Sequence, residues 1–428
     1  MNGGHSEYDV LTRTGPGTQG GDLLRRYWQP AALIEELPPG GAPVALKMFG
    51  EELVLFRDDE GKPGLLGLHC AHRGADLSYG RVEDGGLRCI YHGWLYDRSG
   101  RCLEQPGEPA GSTFHERIRQ TSYPCIERSG VIWTYLGPGE PPLFPNYEFL
   151  TVPDENVFAV KLFHDCNWMQ GNEGNIDLIH LSFLHHNAQR DLSSKPGQAN
   201  GRLSGGGAAP HREKVEGELT DYGLKVCKVR DCGDEQNFYM CTYIYPAAFC
   251  FSSETANRGY SVNWHVPIDD THHWKFTFLH NREQTLDKDR IRRGRLAMDA
   301  EYKPLRNRAN RYQQDRSTML AESYSGIGLV FQAQDMCVTE SAPIQDRSQE
   351  HLSSQDGPLV VSRKLLLKGL KDVAEGRDPP GVLRDVELNS FPRPFAYTLF
   401  APNGVDWKQW IKEVEAEVGE TLPVLTSA

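Results

Sequence analysis

The chain has 428 residues, enough for two or more domains, and 39% of them are hydrophobic, as in globular proteins. It carries 46 basic and 58 acidic residues, a net charge of −12, which argues against nucleic acid as the main partner. No stretch of about 18 uncharged apolar residues occurs, so we expect no membrane span. Residues 1–9 do not resemble a secretory signal, and the ten scattered cysteines favour a reducing cytoplasm over a disulfide framework.

The first third of the chain is predicted to contain a short lead-in and a small all-β domain. We expect the lead-in at residues 1–29 and the β domain at residues 30–145. Residues 44–49, 53–56 and 131–136 are short apolar runs separated by turn residues, a pattern that is typical of strands.

The remaining residues, 146–428, are predicted to form a second domain that contains both helices and strands. Residues 167–184 are compatible with a helix, and residues 187–211 are rich in Ser, Gly and Pro, which predicts a mobile loop. The apolar alternation of residues 260–268, a turn, and the return at residues 273–279 predict a hairpin with one buried face.

Three more helices are predicted in the C-terminal third, at residues 286–312, 359–374 and 405–418. The first of them would be long and highly charged. No glycine-rich nucleotide fingerprint follows a predicted strand, so we do not expect a flavin or nicotinamide site in this chain.

Two Cys–His pairs in the β domain are the strongest chemical signal. Cys70-Ala-His72 is followed by Cys89-Ile-Tyr-His92, so each pair offers a thiolate and an imidazole from a short loop. In a Rieske [2Fe–2S] centre two cysteines hold one iron and two histidines hold the other. A structural zinc site is the alternative, but zinc sites usually group both cysteines before both histidines. The order therefore favours the cluster.

Asp177, His180 and His185 form a second candidate site. Asp177 and His180 would share one face of a helix, whereas His180 and His185 can meet at one metal only if the helix ends or distorts between them. We expect that irregularity near Leu184, and we take His186 as a weaker ligand candidate. Two imidazoles and one carboxylate form the facial triad of non-haem Fe(II) oxygenases. Ordinary core or surface histidines are the alternative.

The carboxylate of such a triad can come from far along the chain. Our candidate is Asp335, which lies in a partly apolar run where an acid is costly unless it is paired or bound to a metal. Glu340, Asp346 and Asp356 are its competitors. From spacing alone, a surface or ion-paired acid is the simpler interpretation of Asp335.

With these motifs the chain resembles the Rieske non-haem iron oxygenase family over nearly its whole length. Further similarity to the phthalate dioxygenase-like branch, which also contains O-demethylases of lignin-derived aromatics, lies in residues 13–28, 167–177 and 334–352. The resemblance implies an α+β chain, with an N-terminal all-β Rieske domain followed by a helix-grip (START-like) antiparallel sheet that forms the catalytic domain.

The resemblance also implies roles for the candidate residues. Fe(II) would be bound by His180, His185 and Asp335. Asp177 would bridge His92 of one subunit to His180 of the next, which makes a homotrimer or a hexamer part of the mechanism.

Partners and reaction follow from the same resemblance. A separate NADH-dependent flavin/iron–sulfur reductase or a ferredoxin would deliver electrons, and O₂ would oxidise an aromatic substrate, either carboxylated or methoxylated and lignin-derived. We favour O-demethylation or monooxygenation over ring cis-dihydroxylation of the phthalate type. A Rieske electron carrier without catalysis and a ligand-binding helix-grip module are more remote alternatives. Candidate clamps for a substrate carboxylate are Arg190, Arg202 and Arg212.

Overall fold

The computed structural model describes residues 9–186, 213–252, 258–319, 322–343, 349–391 and 395–421. Within these ranges no helix combines the length and the apolar character needed to cross a membrane. Four residues considered above lie outside the described residues, namely Arg190, Arg202, Arg212 and Asp346, as does the whole of the loop predicted at residues 187–211.

The N-terminal part consists of antiparallel sheets, as predicted. Its strands are β1 (Trp28–Leu33), β2 (Val44–Met48), β3 (Glu51–Arg57), β4 (Pro63–Gly67), β5 (Arg81–Glu83), β6 (Gly86–Arg88), β7 (Leu95–Tyr96), β8 (Cys102–Glu104), β9 (Ser122–Tyr123), β10 (Cys125–Arg128) and β11 (Val131–Tyr135). They pair in the orders β1-β11-β10, β2-β3-β4-β9 and β5-β6-β7-β8. The two Cys–His pairs lie in the loops β4–β5 and β6–β7, at one end of this part.

The C-terminal part is built on one antiparallel sheet in the order β12-β18-β17-β16-β15-β14-β13, with β19 paired to β15. Its strands are β12 (Val157–His164), β13 (Glu213–Thr220), β14 (Gly223–Asp231), β15 (Glu235–Ile244), β16 (Ala248–Ser252), β17 (Tyr260–Pro267), β18 (His273–His280) and β19 (Tyr397–Pro402).

Six α-helices occur among the described residues. They are α1 (Gln19–Leu24), α2 (Trp168–Ile176), α3 (Lys288–Arg293), α4 (Phe331–Ser341), α5 (Gly357–Ala374) and α6 (Trp407–Thr421). Helix α2 packs on β17 and also contacts α4 and α5, while α1 packs on α5. The fold is thus the predicted α+β combination, an all-β part followed by a sheet with helices against it.

The two parts share one hydrophobic core. The Trp133 ring on β11 makes an edge contact with Trp264 on β17 at a centroid distance of 5.1 Å and stacks on Phe278 of β18 at 5.6 Å. A separate, smaller core lies around the two Cys–His loops and includes Phe56, Leu77 and Tyr96. The loops are therefore supported by their own packing, at a distance from the shared core.

Three local predictions are wrong. The long helix predicted at residues 286–312 is only α3, because Gly294 follows it as the C-cap and Pro304 cannot donate a helical hydrogen bond. The hairpin of β17 and β18 has both faces of β17 buried, because helix α2 covers the face that we expected in water. The helix at residues 167–184 ends at Ile176.

Candidate metal centres

The two Cys–His loops have nearly the same backbone hydrogen bonds. In the first loop the Gly74 amide donates to Cys70 O at 2.8 Å, and in the second the Gly93 amide donates to Cys89 O at 2.9 Å. Both glycines have a positive φ, 74° and 77°, a backbone conformation that residues with a Cβ rarely adopt. The glycine four residues after each cysteine thus closes the loop and brings the following histidine back beside the thiol.

The loops bring all four predicted cluster ligands together. Cys70 and Cys89 are buried at 3% exposure each, and neither is in a disulfide. The rings of His72 and His92 are exposed, and their centroids lie 4.4 Å apart. Burial and the neighbouring Cys70 raise the pKa of Cys89, so ionising the Cys89 thiol requires a strong positive partner such as a metal. Two adjacent thiols on the inner side and two imidazoles on the outer side match the donor set of a Rieske cluster.

The second predicted site is also assembled, but not on a continuous helix. Asp177 is the extended C-cap of α2, and its Oδ1 accepts a hydrogen bond from the Ile179 amide at 2.8 Å. A single 3₁₀ turn, His180–Ser182, follows. The expected irregularity therefore exists, but it lies before His180 rather than near Leu184, and Asp177 and His180 do not share a helix face. The reason is that the Asp177 side chain satisfies a backbone amide and so ends the helix.

Donor atoms of His180, His185 and Asp335 all lie within 4.8 Å of one another. Asp335 Oδ1 is 3.0 Å from His185 Nε2 and 3.7 Å from His180 Nε2. Burial lowers the pKa of His180, which favours its neutral form. Burial alone would raise the pKa of Asp335, but His185 and His180 hold it below its usual value. Neutral imidazoles and an ionised carboxylate are the forms that bind a metal, so these residues fit a mononuclear iron.

Two of the competing acids are engaged elsewhere. Glu340 accepts hydrogen bonds from the Tyr312 hydroxyl at 2.6 Å and from the Asp165 amide at 3.1 Å. Asp356 accepts a hydrogen bond from the Ser353 amide at 2.6 Å at the start of a 3₁₀ turn. Neither belongs to the cluster of donors around His180 and His185.

Comparisons with known proteins give matches over most of the chain. Residues 27–124 match the Rieske [2Fe-2S] domain, and residues 134–425 match the family described as LigXa C-terminal domain like. The phthalate 4,5-dioxygenase oxygenase subunit of Pseudomonas putida is 33% identical over 411 residues, which cover 91% of this chain and 90% of that protein. The chain belongs to the Rieske oxygenase family.

Another relative of this oxygenase is named for a different kind of reaction, and a solved structure shares its fold. The 5,5'-dehydrodivanillate O-demethylase oxygenase subunit of a Sphingobium species is 29% identical, covering 90% of this chain and 85% of that protein. A solved structure, the reduced complex between oxygenase and ferredoxin in carbazole 1,9a-dioxygenase, has the same fold. It has a TM-score of 0.56 and 20% identity and covers 88% of this chain and 96% of that one. The cofactors of the family are a Rieske [2Fe–2S] cluster and a mononuclear iron.

Sequence reasoning missed the side chain that orients His185 in this oxygenase. Gln334 is 1% exposed, and its Nε2 donates to Gly328 O at 2.6 Å. Its Oε1 is therefore an acceptor, 2.6 Å from His185 Nδ1. This fixes the proton of His185 on Nδ1 and leaves the Nε2 lone pair directed towards Asp335. The only sequence signal was that Gln334 directly precedes Asp335.

The residues that support the cluster loops of the oxygenase were also missed. Gln120 accepts a hydrogen bond from the Ala71 amide at 2.9 Å and donates to Gly67 O and His69 O, so one amide side chain holds the first loop. The Tyr96 hydroxyl lies 3.2 Å from Cys70 Sγ. Hydrogen bonds to cluster sulfurs are among the factors that set a Rieske potential.

Proposed function

We propose that this oxygenase uses O₂ to oxidise an aromatic carboxylate. The observation that carries the proposal is the triad of two imidazoles and one carboxylate, assembled in the same chain as a Cys₂His₂ pair of loops. The proposed iron ligands are His180, His185 and Asp335, and the proposed cluster ligands are Cys70, His72, Cys89 and His92. When bound, the cluster supplies electrons and the mononuclear iron activates O₂. The proposed domain limits are residues 1–29, 30–145 and 146–428.

The protein side chains around the triad have two functions in this proposal. Gln334 holds His185 in one tautomer and one orientation, which keeps the site organised before a metal binds. The Phe331 ring stacks on His185 at a centroid distance of 4.3 Å and covers that side of the imidazole. Three protein ligands leave coordination positions open for O₂ close to the substrate.

Asp177 is proposed to connect two copies of the chain. Its Oδ2 lies 3.8 Å from His180 Nδ1, the nitrogen that faces away from Asp335. Its side chain is 41% exposed, so a group from outside the chain can reach it. His92, on the exposed side of the cluster loops, is the proposed group. A carboxylate between the two imidazoles would give electrons a short hydrogen-bonded route between subunits of a trimer or a hexamer.

Electrons are proposed to come from a separate protein. The exposed rings of His72 and His92 place the outer side of the cluster site at the surface, where a redox partner can approach. The similar carbazole 1,9a-dioxygenase is known as a complex of oxygenase with ferredoxin. We propose a ferredoxin, or an NADH-dependent flavin/iron–sulfur reductase, as the partner of this oxygenase.

The proposed substrate class rests on the relatives and on one buried cation. Phthalate and 5,5'-dehydrodivanillate, in the names of two relatives, are both aromatic carboxylates. Lys275 on β18 is 4% exposed and lines a small cavity together with Gln332, which lies on α4 three residues before Asp335. Burial lowers the pKa of Lys275, so a carboxylate that pairs with its charged form would gain a strong interaction. We propose that Lys275 orients the substrate carboxylate.

Two reactions fit this site. O-demethylation or another monooxygenation is the first candidate, by analogy with the dehydrodivanillate relative. Ring cis-dihydroxylation is the second, and the higher identity to the phthalate 4,5-dioxygenase subunit favours it.

Product mass separates the two candidates and tests the proposal. The reduced, iron-loaded protein is given O₂ with phthalates, benzoates and methoxylated aromatic acids. Loss of a CH₂ unit with release of formaldehyde identifies O-demethylation, whereas gain of two oxygens and two hydrogens identifies a cis-diol. If no aromatic carboxylate is consumed while neutral aromatics are, the proposed substrate class is wrong.

A further inference from the structure

A third group of side chains that could bind a metal lies where β12 and β18 meet the start of α2. His164 ends β12, Cys166 lies between β12 and α2, and His273 begins β18. Donor atoms of the three side chains lie within 4.8 Å of one another. The exposed fractions are 2% for His164, 2% for Cys166 and 0% for His273. These residues are different from those of the cluster loops and of the iron triad.

His164 has unsatisfied polar atoms in this place. Both of its ring nitrogens are buried without a hydrogen-bond partner among the described residues. A neutral imidazole carries one donor and one acceptor, and buried polar groups in native proteins nearly always have partners or hold an ion. Burial lowers the pKa of His164, so a proton does not convert it to an imidazolium that would need a counter-ion. A neutral, desolvated imidazole is a competent metal ligand.

The other two donors are arranged around the same point. His273 is the cross-strand partner of His164, and the two rings stack at a centroid distance of 4.7 Å. His273 Nδ1 lies 4.0 Å from Cys166 Sγ and 2.9 Å from Cys166 O. Its other nitrogen, Nε2, lies 3.0 Å from His265 Nδ1. Because Cys166 O can only accept, Nδ1 carries the ring proton and Nε2 accepts from His265, so both nitrogens of His273 have polar partners before a metal binds.

Helix α2 covers the cluster. A Cβ atom at Gly171 would come within 2.5 Å of His273 Nε2 and 2.7 Å of His265 Nδ1, so only a glycine lets the helix approach this closely. Next along the helix, the side-chain amide of Asn175 lies 3.2 Å from His265 Nε2. The cluster is therefore covered by α2, the helix whose C-cap is Asp177.

We propose that His164, Cys166 and His273 supply three ligands of a buried zinc-type ion that ties β12 and β18 to the start of α2. Two imidazoles and one thiolate are the donors that Zn²⁺ prefers, at about 2.0–2.1 Å for nitrogen and about 2.3 Å for sulfur. Binding through His273 Nδ1 breaks the hydrogen bond to Cys166 O and moves the ring proton of His273 to Nε2, where His265 Nδ1 accepts it. The proton of His265 then lies on its Nε2, facing the Asn175 side chain, and the proton of the Cys166 thiol is released.

The metal content of the purified holoenzyme tests the proposal. After dialysis against a chelator, elemental analysis is expected to find about one zinc per chain in addition to iron. Zinc-edge X-ray absorption is expected to find one sulfur and two or more nitrogen ligands. Zinc below about a tenth of an equivalent, or two sulfurs per zinc as in a mis-loaded cluster site, would overturn the proposal.

Variants locate the zinc. Cys166→Ser and His164→Gln are each expected to lower bound zinc at least about tenfold without loss of cluster iron. Cys250→Ser removes another fully buried thiol and is expected to keep the zinc. His180→Ala distinguishes zinc that has entered the iron triad, because such zinc would disappear in this variant and persist in Cys166→Ser, which contradicts the proposal. If Cys166→Ser and His164→Gln do not fold, the wild-type absorption spectrum decides.

Discussion

The cluster loops and the iron triad differ in how far apart in sequence their parts lie. All four predicted cluster ligands fall within residues 70–92, and each loop is closed by its own glycine. In the triad, the side chain that orients His185 is Gln334, 149 residues away, and Asp335 follows it on α4. The first site is a property of two short segments, whereas the second depends on how α4 packs against the chain after α2. Changes that disturb this packing should therefore affect the iron site and spare the cluster.

The largest expected effect tests whether the two centres are independent. Asp335→Ala removes the only carboxylate of the proposed triad, so turnover is expected to fall at least about 1,000-fold with loss of the mononuclear iron. The visible spectrum of the cluster should remain. Iron analysis and spectroscopy on one sample measure both. Asp356→Ala, a carboxylate that caps a turn elsewhere, serves as the control, and loss of cluster colour in Asp335→Ala would show that the centres are coupled.

Asp177→Asn tests the proposed connection between the two centres. The amide still offers an oxygen to the Ile179 amide, so the turn should survive, but it cannot accept from both imidazoles as a carboxylate does. We expect both metals to stay bound and steady-state turnover to fall about 100-fold. Near wild-type turnover would rule out Asp177 as the bridge.

The effect of Lys275→Met should be confined to substrate binding. Removal of the buried cation is expected to raise KM for a carboxylated substrate about 30-fold, because a charged hydrogen bond is lost. KM for the matching carboxamide is expected to stay unchanged, and so is iron content. Equal effects on acid and amide would mean that Lys275 acts through the fold rather than on the carboxylate.

A smaller effect, on the affinity for Fe(II), is expected when the hydrogen bond between Gln334 and His185 is removed. Gln334→Leu takes away the acceptor for His185 Nδ1 and should weaken iron binding about tenfold. Gln334→Glu keeps an acceptor oxygen and should restore most of the affinity. Titration of the apo-triad with Fe(II) measures both, and identical affinities in all three proteins would remove Gln334 from the site.

The smallest expected effect is a shift in the reduction potential of the cluster. Tyr96→Phe removes the hydroxyl beside Cys70 Sγ and is expected to lower the cluster potential by roughly tens of millivolts, because a hydrogen bond to sulfur favours the reduced state. Tyr123→Phe, whose hydroxyl instead contacts Glu51 at 2.7 Å, is the control. An unchanged potential in Tyr96→Phe would mean that this contact does not tune the cluster.

The same contrast explains what could be predicted from the sequence. Cys70, His72, Cys89 and His92 are recognisable because their spacing alone defines two loops. Asp335 needed the family resemblance, since nothing in the spacing brings it to His185. Gln120 and Gln334 act through contacts with distant backbone and ring atoms, which leave no local pattern.

The fold errors have related causes. The charged run at residues 286–312 has helical composition, but Gly294 ends the helix after six residues. The break after Ile176 depends on the side chain of Asp177, which bonds to the backbone instead of extending the helix. A helix prediction from composition and hydrophobic periodicity averages over many residues. It therefore misses the effect of single residues such as Gly294 and Asp177 and misplaces the ends of helices.

The contact of Trp133 with Trp264 and Phe278 has a mechanical consequence. A domain that rotates between two docking positions needs a weak, hydrated interface with the rest of its protein. Here the N-terminal part instead packs on the catalytic sheet through a shared aromatic core. The cluster loops therefore keep a fixed position relative to the catalytic sheet. Electron transfer to and from the cluster loops must then depend on the docking of other molecules, and not on a rotation of the N-terminal part relative to the catalytic sheet.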